Sequence, residues 1–140
     1  MRIDYPEYYQ RLQKLSVILA KELRPQMSAF AQLNAAATAE GALSAKAKQL
    51  IALGIGVTVR CDGCIAYHVH DAIRAGATRQ EIVETIGVAV LMGGGPAMVY
   101  GCEALEALDQ FETTGLIPTA ASDTRTDERP HTAPSGAPPR

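Results

Sequence analysis

Residues 61–68 read CDGCIAYH, a run in which two cysteines stand three positions apart and a histidine follows the second by four. At about 100° per residue on a helix, Cys61, Cys64 and His68 point to roughly 0°, 300° and 340° and therefore share one face. Two thiols that can close a disulfide beside an imidazole are the parts of a dithiol redox centre. The spacing does not fit haem attachment, because that motif places the histidine directly after the second cysteine.

Helix signals dominate the rest of the chain, and strand signals are nearly absent. Apolar residues recur at helical spacing, and Ser, Thr, Gly and Pro stand where helices are expected to begin and end. Ser44 is a predicted N-cap, Thr78 and Glu81 a predicted capping box, and Gly76 a predicted helix terminator. These signals predict an all-α fold of about six helices, near residues 6–23, 25–40, 45–59, 61–75, 79–92 and 96–111.

The composition changes at the C-terminal end of the chain. Residues 118–140 are rich in Pro, Ser, Thr and charged side chains. Such a segment buries too little apolar surface to offset the entropy lost on ordering, so we predict a disordered tail. Residues 1–117 are then one helical domain, in which Gly54 and Gly56 of the third helix predict a close approach by a neighbouring backbone.

Charge and cysteine usage narrow the function classes. The formal net charge of −2 leaves no basic patch, so nucleic acid is not an expected partner. We expect neither an export signal nor membrane insertion, because the apolar run at residues 50–59 is too short to span a bilayer. An odd count of three cysteines argues against an extracellular disulfide framework, so we predict a cytoplasmic protein.

The residues alone leave the roles within the motif open. The helix terminus and the neighbouring Arg60 favour a thiolate at Cys61, whereas His68 on the same face favours one at Cys64. In the alternative of a zinc-binding structural module, Cys102 would supply a fourth ligand.

Three other side chains, Cys102, His70 and Asp71, are expected to have structural roles. Outside the zinc alternative, Cys102 is expected to pack as a small hydrophobe. His70 faces away from the motif, towards solvent or a neighbouring element, and Asp71 on the reactive face is expected to pair with Arg74.

Several stretches together resemble the carboxymuconolactone decarboxylase / AhpD-like (alkylhydroperoxidase D-like) family. They span about residues 43–111 and comprise Leu43-Ser44 with Lys46 and Lys48, LIAL at 50–53, the run at 61–68, GAT at 76–78 with Glu81-Ile82, and the Gly93–Pro96 turn. The resemblance implies an all-helical enzyme, a thiol-dependent peroxidase or disulfide reductase with peroxiredoxin-type, antioxidant activity. It also implies a homotrimer or homohexamer with sites near the subunit boundaries.

The resemblance assigns roles to the motif residues. It implies that Cys64 is the peroxidatic nucleophile, that Cys61 is the resolving thiol and that His68 helps to deprotonate the nucleophile. No bound cofactor is implied, and the electrons would come from a lipoyl-bearing or thioredoxin-like dithiol protein. The alternative within the family is a non-redox decarboxylase with His68 as general acid–base, a branch that generally lacks the C-x-x-C.

Two positions depart from the pattern of the peroxidase branch. Gln49 stands twelve residues before Cys61, where the family usually has a glutamate that feeds a proton relay. An amide cannot serve as an acid or a base near neutral pH, so a slower thiol–disulfide reaction becomes an alternative. Gly63 stands where some members carry an additional histidine. The candidate replacements for the relay acid are Glu40, Glu84 and Glu103.

Overall fold

The computed structural model describes residues 2–115 and shows five helices with no strand among those residues. They are α1 (Tyr5–Glu22), α2 (Arg24–Thr38), α3 (Ala45–Thr58), α4 (Asp62–Arg74) and α5 (Arg79–Thr113). The predicted all-α fold is confirmed. The predicted tail, with the last two residues of the predicted domain, lies outside the described residues.

Local side-chain chemistry fixes the helix ends where the sequence predicts them. The Ser44 hydroxyl accepts the Ala47 N–H at 3.0 Å and caps α3. Thr78 and Glu81 form both bonds of a capping box at the start of α5. Gly76, with φ 90°, follows the end of α4 in the left-handed conformation that terminates helices.

Helix α5 is folded back on itself in its middle. Gly94 has φ 66° and ψ −150°, far from helical values. Arg79 at the start of α5 donates hydrogen bonds to Asp109 at 2.6 Å and to Glu112 at 2.5 Å, both near its end. Thirty residues of straight helix would hold these partners about 45 Å apart. The element is therefore a helical hairpin.

The two arms of the hairpin correspond to the predicted fifth and sixth helices. The first arm is residues 79–93, the second is residues 95–113, and they pack together where a Cβ on Gly101 would lie 2.9 Å from Ile86 Cγ2. By length and composition alone, α5 is the one helix within residues 2–115 that could cross a membrane. Because it turns back at its centre, it does not form a single straight span.

The core lies between α3, α4 and both arms of α5. Its largest fully buried side chains are Tyr5, Leu53, Val57, Ile65, Val69, Ile82, Leu108 and Phe111. Helix α2 contributes no buried residue and packs mainly along α1. Helix α4, which begins after Cys61 and contributes five buried residues, is thus anchored in the core.

Helices α3 and α4 approach each other closely at Gly56. A Cβ built there would lie 3.0 Å from Cys64 Cβ and 3.8 Å from the backbone nitrogen of Ile65. The predicted close approach of a neighbouring backbone is confirmed at Gly56. At Gly54 the neighbour is instead the Thr85 side chain, at an ordinary contact distance of 3.6 Å.

An apolar groove of about 500 Å³ runs between α3 and the first arm of α5. Large hydrophobic side chains that remain exposed line it, among them Ile51, Ile55, Val59, Val88 and Met92. An apolar surface of this extent is typical of a contact with another protein surface. The predicted homo-oligomer would use such a face, and its assembly stays a prediction.

Candidate active site

The turn between α3 and α4 places Cys61 at a helix N-terminus. Arg60 adopts the left-handed conformation with φ 61°. Its N–H donates to the Val57 carbonyl at 3.2 Å, and the Cys61 N–H donates to the Gly56 carbonyl at 3.0 Å, which closes α3. Cys61 is then extended and caps α4, which begins at Asp62, one residue later than predicted.

Cys61 and Cys64 are joined by a disulfide, with their Cα atoms 5.2 Å apart. The Cys61 sulfur also accepts the Cys64 N–H at 3.1 Å. Free N–H groups and the positive end of a helix both stabilise a negative charge. When the bond is reduced, this terminus can therefore stabilise a thiolate.

Helix α1 covers the first turn of α4, between the two cysteines. A Cβ on Gly63 would lie 3.3 Å from Leu12 Cδ1 and 3.9 Å from the Tyr8 hydroxyl. A side chain at this position would crowd Leu12, which would have to shift by a few tenths of an ångström. The packing thus accounts for a glycine where some members of the resembled family carry a histidine.

His68 lies one turn beyond Cys64 and is held by α3. Its Nδ1–H donates to Gln49 Oε1 at 2.9 Å, which leaves Nε2 as the unprotonated ring nitrogen. Burial lowers the pKa of His68 below its usual value, and the nearby charge of Asp71 opposes this shift in part. His68 is therefore a neutral base near neutral pH.

The other polar residues of α4 pair differently from the prediction. Asp71 Oδ1 accepts a hydrogen bond from His70 Nδ1 at 2.8 Å, so the predicted Asp71–Arg74 pair is wrong. His70 packs against neighbouring elements, stacked on Tyr9 with ring centroids 4.1 Å apart and edge-on to Phe111 at 5.6 Å. The prediction that His70 faces away from the cysteines towards a neighbouring element is confirmed.

The candidate replacements for the relay acid are engaged elsewhere. Glu40, Glu84 and Glu103 accept hydrogen bonds from the Ala45 backbone, the Gln80 side chain and the Tyr5 hydroxyl. Among residues 2–115, the hydrogen-bond partner of the His68 ring is Gln49. The family resemblance implied the relay position for Gln49. Its contact with His68 joins two helices, so no pattern of neighbouring residues could have predicted it.

Cys102 is exposed on the second arm of α5, so the prediction that it packs as a hydrophobe is wrong. Its face of the arm points away from the helices that bury its neighbours Gly101 and Ala104. Within the described part of the chain, no three His, Cys, Asp or Glu side chains cluster closely enough to hold a metal ion.

Residues 26–107 match the sequence model of the carboxymuconolactone decarboxylase family. The chain belongs to this family. It is 41% identical over 83 residues to an uncharacterized protein of Cupriavidus necator, a match that covers 59% of this chain and 74% of that protein.

Two solved structures of carboxymuconolactone decarboxylase family proteins share the fold. One, from Legionella pneumophila in its apo form, has a TM-score of 0.74 and 40% identity over 76% of this chain and 96% of its own. Another, from Thermotoga maritima, has a TM-score of 0.60 and 29% identity over 64% of this chain and 92% of its own, and a part in the antioxidative response has been suggested for it. Family membership and the C-x-x-C at the start of α4 are consistent with a redox function.

Proposed function

We propose that this protein is an AhpD-like dithiol oxidoreductase, a thiol-dependent peroxidase or disulfide reductase that works through Cys61 and Cys64. The observation that carries the proposal is their disulfide at the N-terminus of α4, with His68 one turn further along the same helix. The antioxidative role suggested for the Thermotoga maritima relative supports the same chemistry.

The reaction begins with the reduced cysteine pair. His68 Nε2 takes the proton of the Cys64 thiol, and the thiolate attacks the substrate. A hydroperoxide ROOH gives a sulfenic acid on Cys64 and an alcohol, and condensation with the Cys61 thiol then releases water and forms the disulfide. A disulfide substrate gives a mixed disulfide on Cys64 and releases its first thiol, and Cys61 then attacks Cys64 and releases the second.

The oxidised enzyme must be reduced before the next turnover. A dithiol protein, lipoyl-bearing or thioredoxin-like, would attack the Cys61–Cys64 disulfide. Its own two thiols would be oxidised to a disulfide, and both cysteines would return to thiols. The cysteine pair itself holds the two electrons, so the cycle uses no bound organic cofactor. A reducing cytoplasm would keep such a donor available.

Cysteine variants assayed with excess dithiol reductant test the proposal. Cys64→Ser should lose turnover of hydroperoxide or disulfide. Cys61→Ser, reduced and then freed of reductant, should be oxidised once on Cys64 without forming an intramolecular disulfide. His68→Asn should slow oxidation about 10²–10⁴-fold, the usual worth of a well-placed base. Cys102→Ser is the matched control and should keep full activity, since Cys102 is an exposed free thiol outside the Cys61–Cys64 disulfide.

Two results would count against the proposal. If Cys64→Ser consumes substrate at the wild-type rate, Cys64 is not the nucleophile. A double cysteine variant with full activity on a lactone or acid substrate would instead favour the non-redox decarboxylase chemistry of the family.

A further inference from the structure

The group that holds His68 is a neutral amide on a neighbouring helix. Gln49 Oε1 accepts the Nδ1–H at 2.9 Å, and this amide takes up no proton near neutral pH. A carboxylate at the same place would stabilise an imidazolium and could receive its second proton. Gln49 does neither, so it orients the ring with Nε2 free but adds no proton carrier.

The surroundings also disfavour a protonated His68. The ring is half-buried, which lowers the pKa of His68, and the carboxylate of Asp71, already bonded to His70, opposes this shift only in part. The proton that His68 takes from Cys64 is therefore held weakly and is lost readily to solvent, with no second group beside the ring, among residues 2–115, to store it. Within one chain the site offers a base but no stored acid.

Hydroperoxides and disulfides differ in how much they need such an acid. Cleavage of the O–O bond expels an alkoxide or hydroxide, whose parent alcohol or water is a far weaker acid than a thiol. Cleavage of an S–S bond expels a thiolate, whose parent thiol has a pKa of about 8.5, and thiolates leave without prior protonation. Absence of an acid therefore slows the cleavage of hydroperoxides and leaves the rate of disulfide cleavage unaffected.

We infer that the physiological oxidant of this site is a disulfide rather than a hydroperoxide, because the Gln49–His68 pair supplies a base without an acid. The inference rests on the proposed dithiol function and selects one of its two substrate classes. The Cys64 thiolate forms a new bond to one substrate sulfur, and the other sulfur leaves as a thiolate. Cys61 then bonds to Cys64 and expels the second thiolate, so the protein pair is oxidised by two electrons and the substrate is reduced by two.

Single-turnover oxidation of the reduced wild-type protein tests the choice. The chain has no tryptophan, so rapid quenching with an alkylating agent followed by mass spectrometry is the readout. The probes are 2-hydroxyethyl disulfide, tert-butyl hydroperoxide and peracetic acid, which expels acetate and needs no acid. For each oxidant, the rate constant of the protein is divided by the rate constant of dithiothreitol with the same oxidant. This ratio, the enhancement, removes the intrinsic reactivity of the oxidant.

We expect the enhancement over dithiothreitol to be at least about 10²-fold larger for the disulfide than for tert-butyl hydroperoxide, the usual worth of a missing acid. The enhancement for peracetic acid should be similar to that for the disulfide. In Gln49→Glu the ratio of the disulfide enhancement to the hydroperoxide enhancement should fall at least about tenfold, less than the about 10²-fold of a well-placed acid because the new carboxylate is not optimally oriented.

The outcomes separate this inference from the function on which it rests. Equal or greater enhancement for tert-butyl hydroperoxide in the wild type overturns the choice of disulfide while the dithiol function stands. Absence of enhancement for all three oxidants overturns the dithiol function itself. If Gln49→Glu does not fold, the wild-type comparison of peracetic acid with tert-butyl hydroperoxide decides, and equal enhancements would refute the missing acid.

Discussion

Substitution of Gly56 by alanine tests whether the packing of α3 against α4 positions the cysteine pair. The new Cβ would lie 3.0 Å from Cys64 Cβ and 3.7 Å from the Cys64 carbonyl carbon. Because carbon atoms pack at about 3.5–4.0 Å, the two helices must separate by about 0.5 Å. Overpacking of this kind costs about 1–3 kcal/mol. The better helix propensity of alanine offsets about 1 kcal/mol, so we expect Gly56→Ala to lower the free energy of unfolding by about 0–2 kcal/mol.

Gly54→Ala is the matched control in the same helix. Its Cβ would meet Thr85 Cγ2 at 3.6 Å without a clash, so only the propensity gain of about 1 kcal/mol remains. The two variants should therefore differ by about 1–3 kcal/mol. Urea denaturation followed by circular dichroism measures this, with both proteins reduced and at one concentration, because association shifts apparent stability. Equal stabilisation by the two substitutions would refute the close approach at Gly56.

Three further predictions concern assembly, pH and the turn before the motif. Light scattering should show a homotrimer or homohexamer. Truncation after Leu116 should leave this assembly unchanged. A monomer of 14.9 kDa at micromolar concentration would contradict the prediction. The lowered pKa of His68 means that below about pH 6.5 the unfolded chain binds more protons than the folded one. The free energy of unfolding should therefore fall as the pH drops through that range, and less steeply in His68→Gln. Arg60→Gly should raise the free energy of unfolding by about 1 kcal/mol by relieving the left-handed conformation, whereas Arg60→Ala should give no such gain in the same denaturation assay.

The elements that the sequence predicted best depend on contacts within one turn of helix. The caps at Ser44 and Thr78 and the terminator at Gly76 each bond to groups a few residues away, so the residue type and its neighbours suffice. The alignment of Cys64 with His68 follows from the helical period alone. For the same reason, the position of the pair at the start of α4 was predictable to within one residue.

Contacts between helices could not be predicted in this way. The bond from Gln49 to His68 and the ion pairs from Arg79 to Asp109 depend on how α3, α4 and the arms of α5 pack. The wrong expectation for Cys102 has the same cause, since a helix with apolar residues on most sides does not reveal which side is covered.

The most direct test of the dithiol mechanism is a count of free thiols before and after one equivalent of oxidant. Fully reduced protein should show three thiols per chain, from Cys61, Cys64 and Cys102. One equivalent of 2-hydroxyethyl disulfide should leave one, with peptide mapping that shows a Cys61–Cys64 disulfide and an unmodified Cys102. Three remaining thiols, or a disulfide that includes Cys102, would contradict the mechanism.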